Sequence, residues 1–424
     1  MTALWAAVAA LSCLAAAPAA AAAPADASSL PQISQTLSGG DGGSPGCTKA
    51  STATTGRTPW DQSYLGVAQA WAVGQGAGVT VAVLGSGVDG ASGVFGDRLA
   101  LGPREDGTGS SGRDCVGQGT FVAGLIAAGQ QDGTGFAGIA PQARILAVAV
   151  TDDSGRSTPA ALAAGIRAAV DGGARVIDLA VTVPAPAPAL LAAVDYAAGR
   201  GALVVAPATA DPDPSATDAD PDGGPAAGAA YPAAYPGVLS VSDLGPGGAP
   251  PQPAAGTTAP AVRVDLVAPG DSVLSVGPGG RGYFTGTGPS FAAAVVAGTA
   301  ALVLGAHPEL TAQQLVRQLE DTAYHPGTAL PDAAVGYGTV DPVAAVSAPL
   351  PQQAAGTPSA RPARLAMPAP ADPTADHDAL ALAAGALAVV LLTGAAALVL
   401  PRGNRRRWRP GVWPGHTGSA EKGN

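Results

Sequence analysis

Short, uninterrupted apolar runs alternate with longer helical patterns through the middle of this chain, and this alternation most constrains its fold. The runs begin at Val79, Ile145, Arg175, Ala202, Val238 and Val264. They are continuous rather than alternating in polarity, as expected of strands buried on both faces of a sheet. Helical patterns intervene at 118–128, 158–171, 189–199, 290–305 and 311–322. This order predicts an α/β domain with a doubly wound parallel sheet.

The composition fits one large core and argues against nucleic acid as a partner. Hydrophobic residues make up 47% of the 424 residues and charged residues 12%, so the chain can bury a core with few ionic contacts. The net charge is -10, although the densest arginine cluster lies at the C-terminal end, so the rest of the chain is more acidic still. An acidic surface is the opposite of a nucleic-acid-binding one.

The N-terminal end predicts export. Residues 1–27 carry an apolar run followed by small residues, the pattern of a secretory signal peptide cleaved near 23–27. The stretch lacks a basic start, so an uncleaved N-terminal anchor is the alternative. Cys13 lies within this run, and its removal leaves Cys47 and Cys115. In an exported segment these two predict a disulfide, with a pair of free thiols as the alternative.

The C-terminal end predicts a membrane anchor. Residues 379–400 are uncharged and long enough to cross a bilayer as a helix, which takes about 20 residues. The arginines that follow place the tail, 401–424, in the cytoplasm and everything before the span outside. The Pro- and Ala-rich stretch 347–378 predicts a semi-extended tether. A buried helix of a soluble protein is the alternative to a transmembrane one.

One serine stands where a nucleophile could act. Glycines and Pro289 form a turn before Ser290, and a run of small residues after it predicts a closely packed helix. Such a turn can present a hydroxyl while the first helical amides face developing negative charge. Serine is also a common N-cap, so a capping role is the alternative.

Five segments together resemble the subtilisin-like serine proteases. The serine stretch FTGTGPSFAAAVVAG is similar to the nucleophile segment, GTSxAxPxVAG. VTVAVLGSGVDG resembles the aspartate segment, DCVGQGTFVAG the histidine segment, and GALVVAPATA the segment ending in the oxyanion asparagine. GYGTVDPVAAV resembles the last segment of the domain. Their family order implies a subtilisin-like domain at 60–346, preceded by an N-terminal arm at 28–59.

The organisation of the whole chain resembles the mycosins, membrane-anchored proteases associated with type VII secretion systems of actinobacteria. The resemblance rests on the signal peptide, the cysteine just before the histidine segment, the second cysteine in the arm, the tether and the single span. It implies a type VII secretion membrane complex as partner. No motif implies a cofactor or a bound metal.

The residues at the chemical positions depart from the family. The aspartate position is Gly85, which has no carboxylate to orient an imidazole, and the histidine position is Gln118, whose neutral amide cannot take a proton. Ser290 keeps the nucleophile position, and the oxyanion position falls on Ala210. We therefore expect a pseudoprotease with a structural or binding role. The alternatives are an active endopeptidase that uses Ser290, and an extracytoplasmic receptor that binds peptide in the inherited cleft.

Other polar residues offer no clear replacement for the missing groups. Asp89 and Asp114 lie near the two altered positions in sequence and are interpreted as solvated turn residues. An acidic insert around 210–224 begins like a calcium loop but has Ala229 where the distal glutamate would stand, so a solvated acidic loop is favoured. The four histidines lack a motif context that would make them a base: His307, His325, His377 and His416.

Overall fold

The structure is a computed structural model that describes residues 30–37, 46–106, 109–212, 230–249, 262–325, 327, 329–350 and 374–405. The chain divides into two compact units, Met1–Gln352 and Gln353–Asn424. The calcium-like start of the acidic insert, the signal peptide and most of the tether and tail lie outside the described residues.

The first unit is built on a parallel sheet. The strands are β1 (Gln32–Ile33), β2 (Thr80–Gly85), β3 (Leu99–Arg104), β4 (Arg144–Ala149), β5 (Val176–Leu179), β6 (Leu203–Pro207), β7 (Val238–Leu244), β8 (Leu266–Pro269), β9 (Val273–Val276) and β10 (Tyr283–Gly286). Seven of them form one sheet in the order β3-β4-β2-β5-β6-β7-β8, with every neighbouring pair parallel. The six strands expected from the apolar runs are all members of this sheet.

Helices cover both faces of the sheet. They are α1 (Trp60–Leu65), α2 (Val67–Ala70), α3 (Gln118–Ala127), α4 (Pro159–Asp171), α5 (Pro188–Gly199), α6 (Pro289–Ala306), α7 (Ala312–Asp321), α8 (Pro342–Ser347) and α9 (Thr374–Arg405). Alternate residues of β2 enter two different cores: Val81 and Val83 join the core of α3 and α6, while Ala82 and Leu84 join that of α4 and α5. The doubly wound α/β prediction is therefore confirmed.

Two helices, α3 and α6, are almost entirely buried. All residues of α3 are buried, and so are sixteen residues of α6. Both helices consist mainly of small residues, which allow close packing against strands without a polar outer face. Both begin at the edge where β2 and β5 end, because parallel strands bring their carboxyl ends to one side. This edge carries the candidate site.

Several elements were not expected from the sequence. The edge strand β3 pairs with β4, but half of its residues are exposed, none is buried and it contains Gly-Pro, so it lacks the apolar run of a central strand. A second sheet joins β1, β10 and β9, in which β1 is two residues long. Such short segments carry too few residues for a periodic pattern to be recognised.

The N-terminal arm is attached to the domain by a disulfide. Cys47 and Cys115 are bonded, with their Cα atoms 4.5 Å apart, which confirms the predicted pairing. Next to it, the Thr48 amide donates to the Cys115 carbonyl at 2.8 Å and the Thr48 hydroxyl to the Val116 carbonyl at 2.6 Å. The arm is therefore joined to the loop that leads into α3.

The second unit contains one described element, the helix α9. Its Leu382–Arg402 stretch is long and apolar enough to span a membrane, and its described side chains are exposed. The helix continues through Pro401, beyond the predicted end of the span at residue 400. The other helix of comparable length and apolarity, α6, is buried in the domain core, which explains its composition.

Candidate active site

Ser290 is the second residue of α6 and is fully buried. The N-cap is Gly288 and the first helical residue is Pro289, whose fixed φ suits that position. The alternative that Ser290 acts as an N-cap is therefore wrong. Gly288 has a φ of 151°, and a Cβ there would lie 2.5 Å from the Asp211 carboxyl carbon. Glycine is required at this turn because the Asp211 carboxyl group is already in that space.

Asp211 accepts hydrogen bonds from both the backbone N–H and the hydroxyl of Ser290. Its Oδ1 accepts the Ser290 backbone N–H at 2.9 Å, and its Oδ2 accepts the Ser290 hydroxyl at 2.5 Å. Burial raises the pKa of the Asp211 carboxyl to about 7, although the two hydrogen bonds from Ser290 oppose this. The negative charge of Asp243 raises it further, and burial likewise raises the pKa of Asp243, to about 6.

Gln118 is the first residue of α3, and its side chain reaches the same cluster. Its Nε2 donates to the Ala180 carbonyl at 2.7 Å and lies 3.3 Å from both Asp211 Oδ2 and Ser290 Oγ. Gln118 is fully buried, and its Oε1 has no hydrogen-bond partner among the described residues. The amide is a donor toward the serine and is not a base.

Gly85 ends β2 beside this pair. Its carbonyl accepts the Val150 N–H at 2.8 Å. A Cβ built on it would lie 3.2 Å from the Ala180 Cβ and 3.6 Å from the Gly119 Cα. The fold thus brings Gly85, Gln118 and Ser290 to one edge of the sheet.

The residue that sequence reasoning missed is Asp211. Ala210, which the sequence places at the oxyanion position, is exposed, and the side chain that contacts Ser290 belongs to the next residue. The assignment of the oxyanion position to Ala210 stays a prediction. A signal was present: Asp211 follows shortly after the apolar run of β6, at the edge where parallel strands carry functional groups.

The two acids near the altered positions have structural roles. Asp114 is buried rather than solvated, so that interpretation is wrong: it accepts the Gly117 N–H at 2.7 Å, the Thr120 N–H at 2.7 Å and the Thr120 hydroxyl at 2.6 Å. Burial raises its pKa, and these hydrogen bonds oppose the increase. Asp89 is half-buried and accepts the Ala91 and Gly279 N–H groups, each within 2.8 Å.

The histidines of the domain have partners away from Ser290. His307 follows the last residue of α6, which places it roughly 26 Å from Ser290 along the helix axis at 1.5 Å per residue. Its Nδ1 lies 3.8 Å from Glu309 Oε1. The Nδ1 of His325 lies 2.7 Å from the Tyr337 carbonyl. His377 belongs to α9 in the other unit, and His416 lies outside the described residues.

Comparison with known proteins agrees with this geometry. The subtilase family model matches residues 76–338, which include Gly85, Gln118 and Ser290. Mycosin-1 of Mycobacterium tuberculosis is 34% identical over 344 residues, covering 71% of this chain and 75% of its own length. Mycosin-4 of the same organism is 34% identical over 404 residues, covering 86% of this chain and 85% of its own.

Solved structures give the same result. The structure of the MycP3 protease from the type VII (ESX-3) secretion system aligns with a TM-score of 0.58 and 30% identity, covering 76% of this chain and all of that one. MycP1 from Mycobacterium smegmatis aligns with a TM-score of 0.59 and 29% identity, covering 77% of this chain and 95% of that one. Fold and sequence relatives thus agree, and the chain belongs to the subtilase family as a mycosin-like member.

Proposed function

We propose that this chain is a catalytically inactive mycosin-like subtilase that has a structural or binding role at a type VII secretion assembly. The mycosin relatives support the association with type VII secretion, since MycP1 and MycP3 belong to the ESX-1 and ESX-3 type VII secretion systems. The loss of catalysis is argued from the contacts of Ser290.

The observation that carries the proposal is the Asp211 carboxyl group on the Ser290 amide. Acyl transfer needs N–H donors directed at the oxyanion that forms in the transition state. The Ser290 N–H, at the start of α6, already donates to Asp211 Oδ1. An ionised Asp211 carboxylate beside this N–H repels the developing oxyanion. The site that should stabilise negative charge in the transition state therefore destabilises it.

Neither protonation state of Asp211 removes this conflict. Ionised Asp211 could take the proton of Ser290 and would then be neutral, but its Oδ1 still accepts the Ser290 N–H that the oxyanion needs. Protonated Asp211 could donate a hydrogen bond, but it can no longer accept the serine proton. Gln118, 3.3 Å from Ser290 Oγ, is not a base in either state.

The family positions support the same proposal. We assign Gly85 to the aspartate position, Gln118 to the histidine position, Ser290 to the nucleophile position and Ala210 to the oxyanion position. In subtilisin, loss of the general base alone lowers kcat by a factor of about 10⁶. A chain that lacks both the base and its orienting carboxylate is therefore not expected to turn over peptide.

We further propose the membrane arrangement. Residues 1–27 form a signal peptide, the subtilisin-like domain of residues 60–346 is extracytoplasmic, and 347–378 tether it to a span at 379–400 with a cytoplasmic tail at 401–424. The apolar helix Leu382–Arg402 supports the span. An anchored domain gains effective concentration beside a membrane partner without any new contact.

Complementation of a deletion strain tests the proposal. Ser290→Ala, expressed at the wild-type level, should restore type VII secretion, while a chain ending at residue 378 should not. Reaction of the wild-type protein with a fluorophosphonate, absent in Ser290→Ala, would instead identify an active serine hydrolase. Failure of a folded Ser290→Ala variant to complement would also contradict the pseudoprotease proposal.

A further inference from the structure

The described part of the domain has two exposed aromatic side chains, and both belong to one groove. Tyr64 is 45% exposed and Tyr324 is 74% exposed, whereas the other described Phe, Trp and Tyr rings of the domain are buried or half-buried. Both tyrosines line a cavity of about 600 Å³. Aromatic rings contribute large apolar areas when they are buried, so two of them left exposed on one groove indicate a surface that another molecule covers.

The groove runs between two segments that are far apart in sequence. One wall is formed by residues 63–66 and 69, in α1 and α2, and the other by Tyr324 with residues 339–341 and 343. A Cβ on Gly66 would lie 3.6 Å from Val343 Cγ2, so the two walls are in contact at this point. The buried side chains of Leu65 and Val340 supply an apolar floor. None of these lining residues belongs to the site around Ser290.

Both tyrosines are held in place by the fold. The Tyr64 ring lies 5.9 Å from the Trp60 ring, between centroids. A Cβ on Gly248, whose φ is +77°, would lie 2.8 Å from Tyr64 Oη, so glycine is required beside this ring. The Tyr324 N–H donates to the Thr339 carbonyl at 2.7 Å, and the Tyr324 carbonyl accepts the Thr339 N–H at 3.1 Å. Binding to groups that are already positioned costs little ordering entropy.

The polar groups of the groove favour one kind of peptide. The hydroxyls of Tyr64 and Tyr324 and the exposed amide of Gln69 have no hydrogen-bond partner among the described residues, and each can donate. A polyproline II segment has carbonyls without internal hydrogen bonds, and its prolines have no N–H.

An added β-strand fits this groove less well than a polyproline II segment. Strand addition needs free backbone N–H and C=O groups at a sheet edge. At Tyr324 both groups are already bonded to Thr339. Aromatic rings beside hydrogen-bond donors are instead the features of a groove that binds proline-rich segments.

We propose that the groove between Tyr64 and Tyr324 binds a proline-rich segment of a partner protein in the polyproline II conformation. Proline rings pack on the two tyrosine rings, and carbonyls of the segment accept hydrogen bonds from the tyrosine hydroxyls and from Gln69. Prolines three residues apart lie on one face of this helix, so the segment has the pattern Pro-x-x-Pro. This recognition surface lies apart from Ser290, and the inference does not depend on whether the serine is catalytically active.

Binding of a synthetic polyproline peptide tests the proposal. Fluorescein-labelled decaproline, titrated with the full-length protein in lipid nanodiscs, should gain anisotropy, while a labelled (Gly-Ser)₅ peptide of the same length should not. Tyr324→Ala should weaken decaproline binding about tenfold or more, because it removes one of two aromatic anchors. Tyr324→Phe keeps the ring and should weaken binding less than Tyr324→Ala. Leu191→Ala removes an exposed apolar side chain of α5 outside the groove and should leave binding unchanged.

A second variant and a second measurement complete the test. Tyr64→Ala should weaken decaproline binding like Tyr324→Ala, and thermal unfolding confirms that each variant is folded. Absence of decaproline binding, equal binding of the two peptides, or equal affinity in wild-type protein and both alanine variants would overturn the proposal. Sedimentation velocity addresses the other occupant: self-association that is lost in Tyr324→Ala, without decaproline binding to the wild-type protein, would assign the groove to a second copy of the chain instead.

Discussion

Asp114 and Asp211 are both buried acids beside the ends of the central strands, and they have opposite consequences for the site. Asp114 accepts three hydrogen bonds from the start of α3 and fixes the turn that carries Gln118. Asp211 accepts hydrogen bonds from the backbone N–H and the hydroxyl of Ser290. It thereby occupies the N–H donor that an oxyanion would need in acyl transfer. The subtilase scaffold around the site is present, while the chemical positions, as we assign them, carry other residues. A fold can keep its scaffold without its catalytic groups because different residues form them.

The largest effect is expected from breaking the scaffold. Asp114→Ala leaves the Gly117 and Thr120 N–H groups and the Thr120 hydroxyl buried without their acceptor, each at a cost of about 1–3 kcal/mol. We expect the free energy of unfolding in urea to fall by about 3–5 kcal/mol. Asp97→Ala removes an exposed acid and should change this free energy by less than about 0.5 kcal/mol. Equal effects of the two changes would contradict the structural role of Asp114.

The second prediction concerns pH. Burial raises the pKa of Asp61 and Asp211 to about 7 and of Asp243 to about 6, and it also raises that of Asp178. The folded state therefore binds more protons than the unfolded state between about pH 4 and 7, so stability falls as pH rises through this range. The melting temperature should be higher at pH 5 than at pH 8, by roughly 5 °C or more. A melting temperature that rises toward pH 8 would show that these acids are not buried in this way.

The third change isolates the contribution of Asp211. Asparagine keeps the shape of the side chain but carries no charge, so Asp211→Asn should reduce the loss of stability between pH 5 and pH 8 by about 1–3 kcal/mol. Denaturant unfolding at the two pH values measures this difference. Asp271→Asn is the matched control, because it makes the same change at a half-buried acid near Asp243 and should leave the pH dependence nearly unaltered. An identical pH dependence of stability in wild-type and Asp211→Asn protein would show that Asp211 does not contribute to it.

The smallest effect is expected from restoring the missing catalytic aspartate and histidine, because the rate of hydrolysis stays low in absolute terms. Gln118→His alone should give no useful turnover, because Gly85 leaves an imidazole without its orienting carboxylate. The Gly85→Asp, Gln118→His double variant should stay near background while Asp211 opposes the oxyanion. Adding Asp211→Asn should then raise hydrolysis of an activated ester, by about 10²-fold, the typical value of one oxyanion donor. Appreciable turnover in the double variant would show that Asp211 does not block the site.

The sequence predicted the central part of the fold because that part is governed by strong local patterns. Continuous apolar runs marked β2 and β4 to β8, and the helix bounds differ from the predicted ones by one residue or so. Edge strand β3 and the two-residue β1 were missed because pairing with a neighbour, rather than their own residues, makes them strands. The disulfide was predicted because the segment expected to be exported holds only two cysteines.

The site was predicted only in part. Gly85, Gln118 and Ser290 could be placed by ordered motifs, and the structure brings them together. Asp211 could not be placed in this way, because which of two adjacent residues faces the serine depends on how the chain leaves β6. Burial of Asp114 was misjudged for a related reason: the hydrogen bonds that make it tolerable come from residues three and six positions later, in a turn the sequence does not specify.

The pairing of Ile33 with β10 determines where a useful soluble fragment of this protein should begin. A fragment starting at residue 46 would keep both bonded cysteines and the whole subtilase match, and it would look complete by sequence alone. It would nevertheless lack the Ile33 side chain that lies beside Gly117 and would leave β10 with an unpaired edge. Binding measured on such a fragment would describe a surface that residues 32–35 cover in the whole chain, so fragments should start before Leu30.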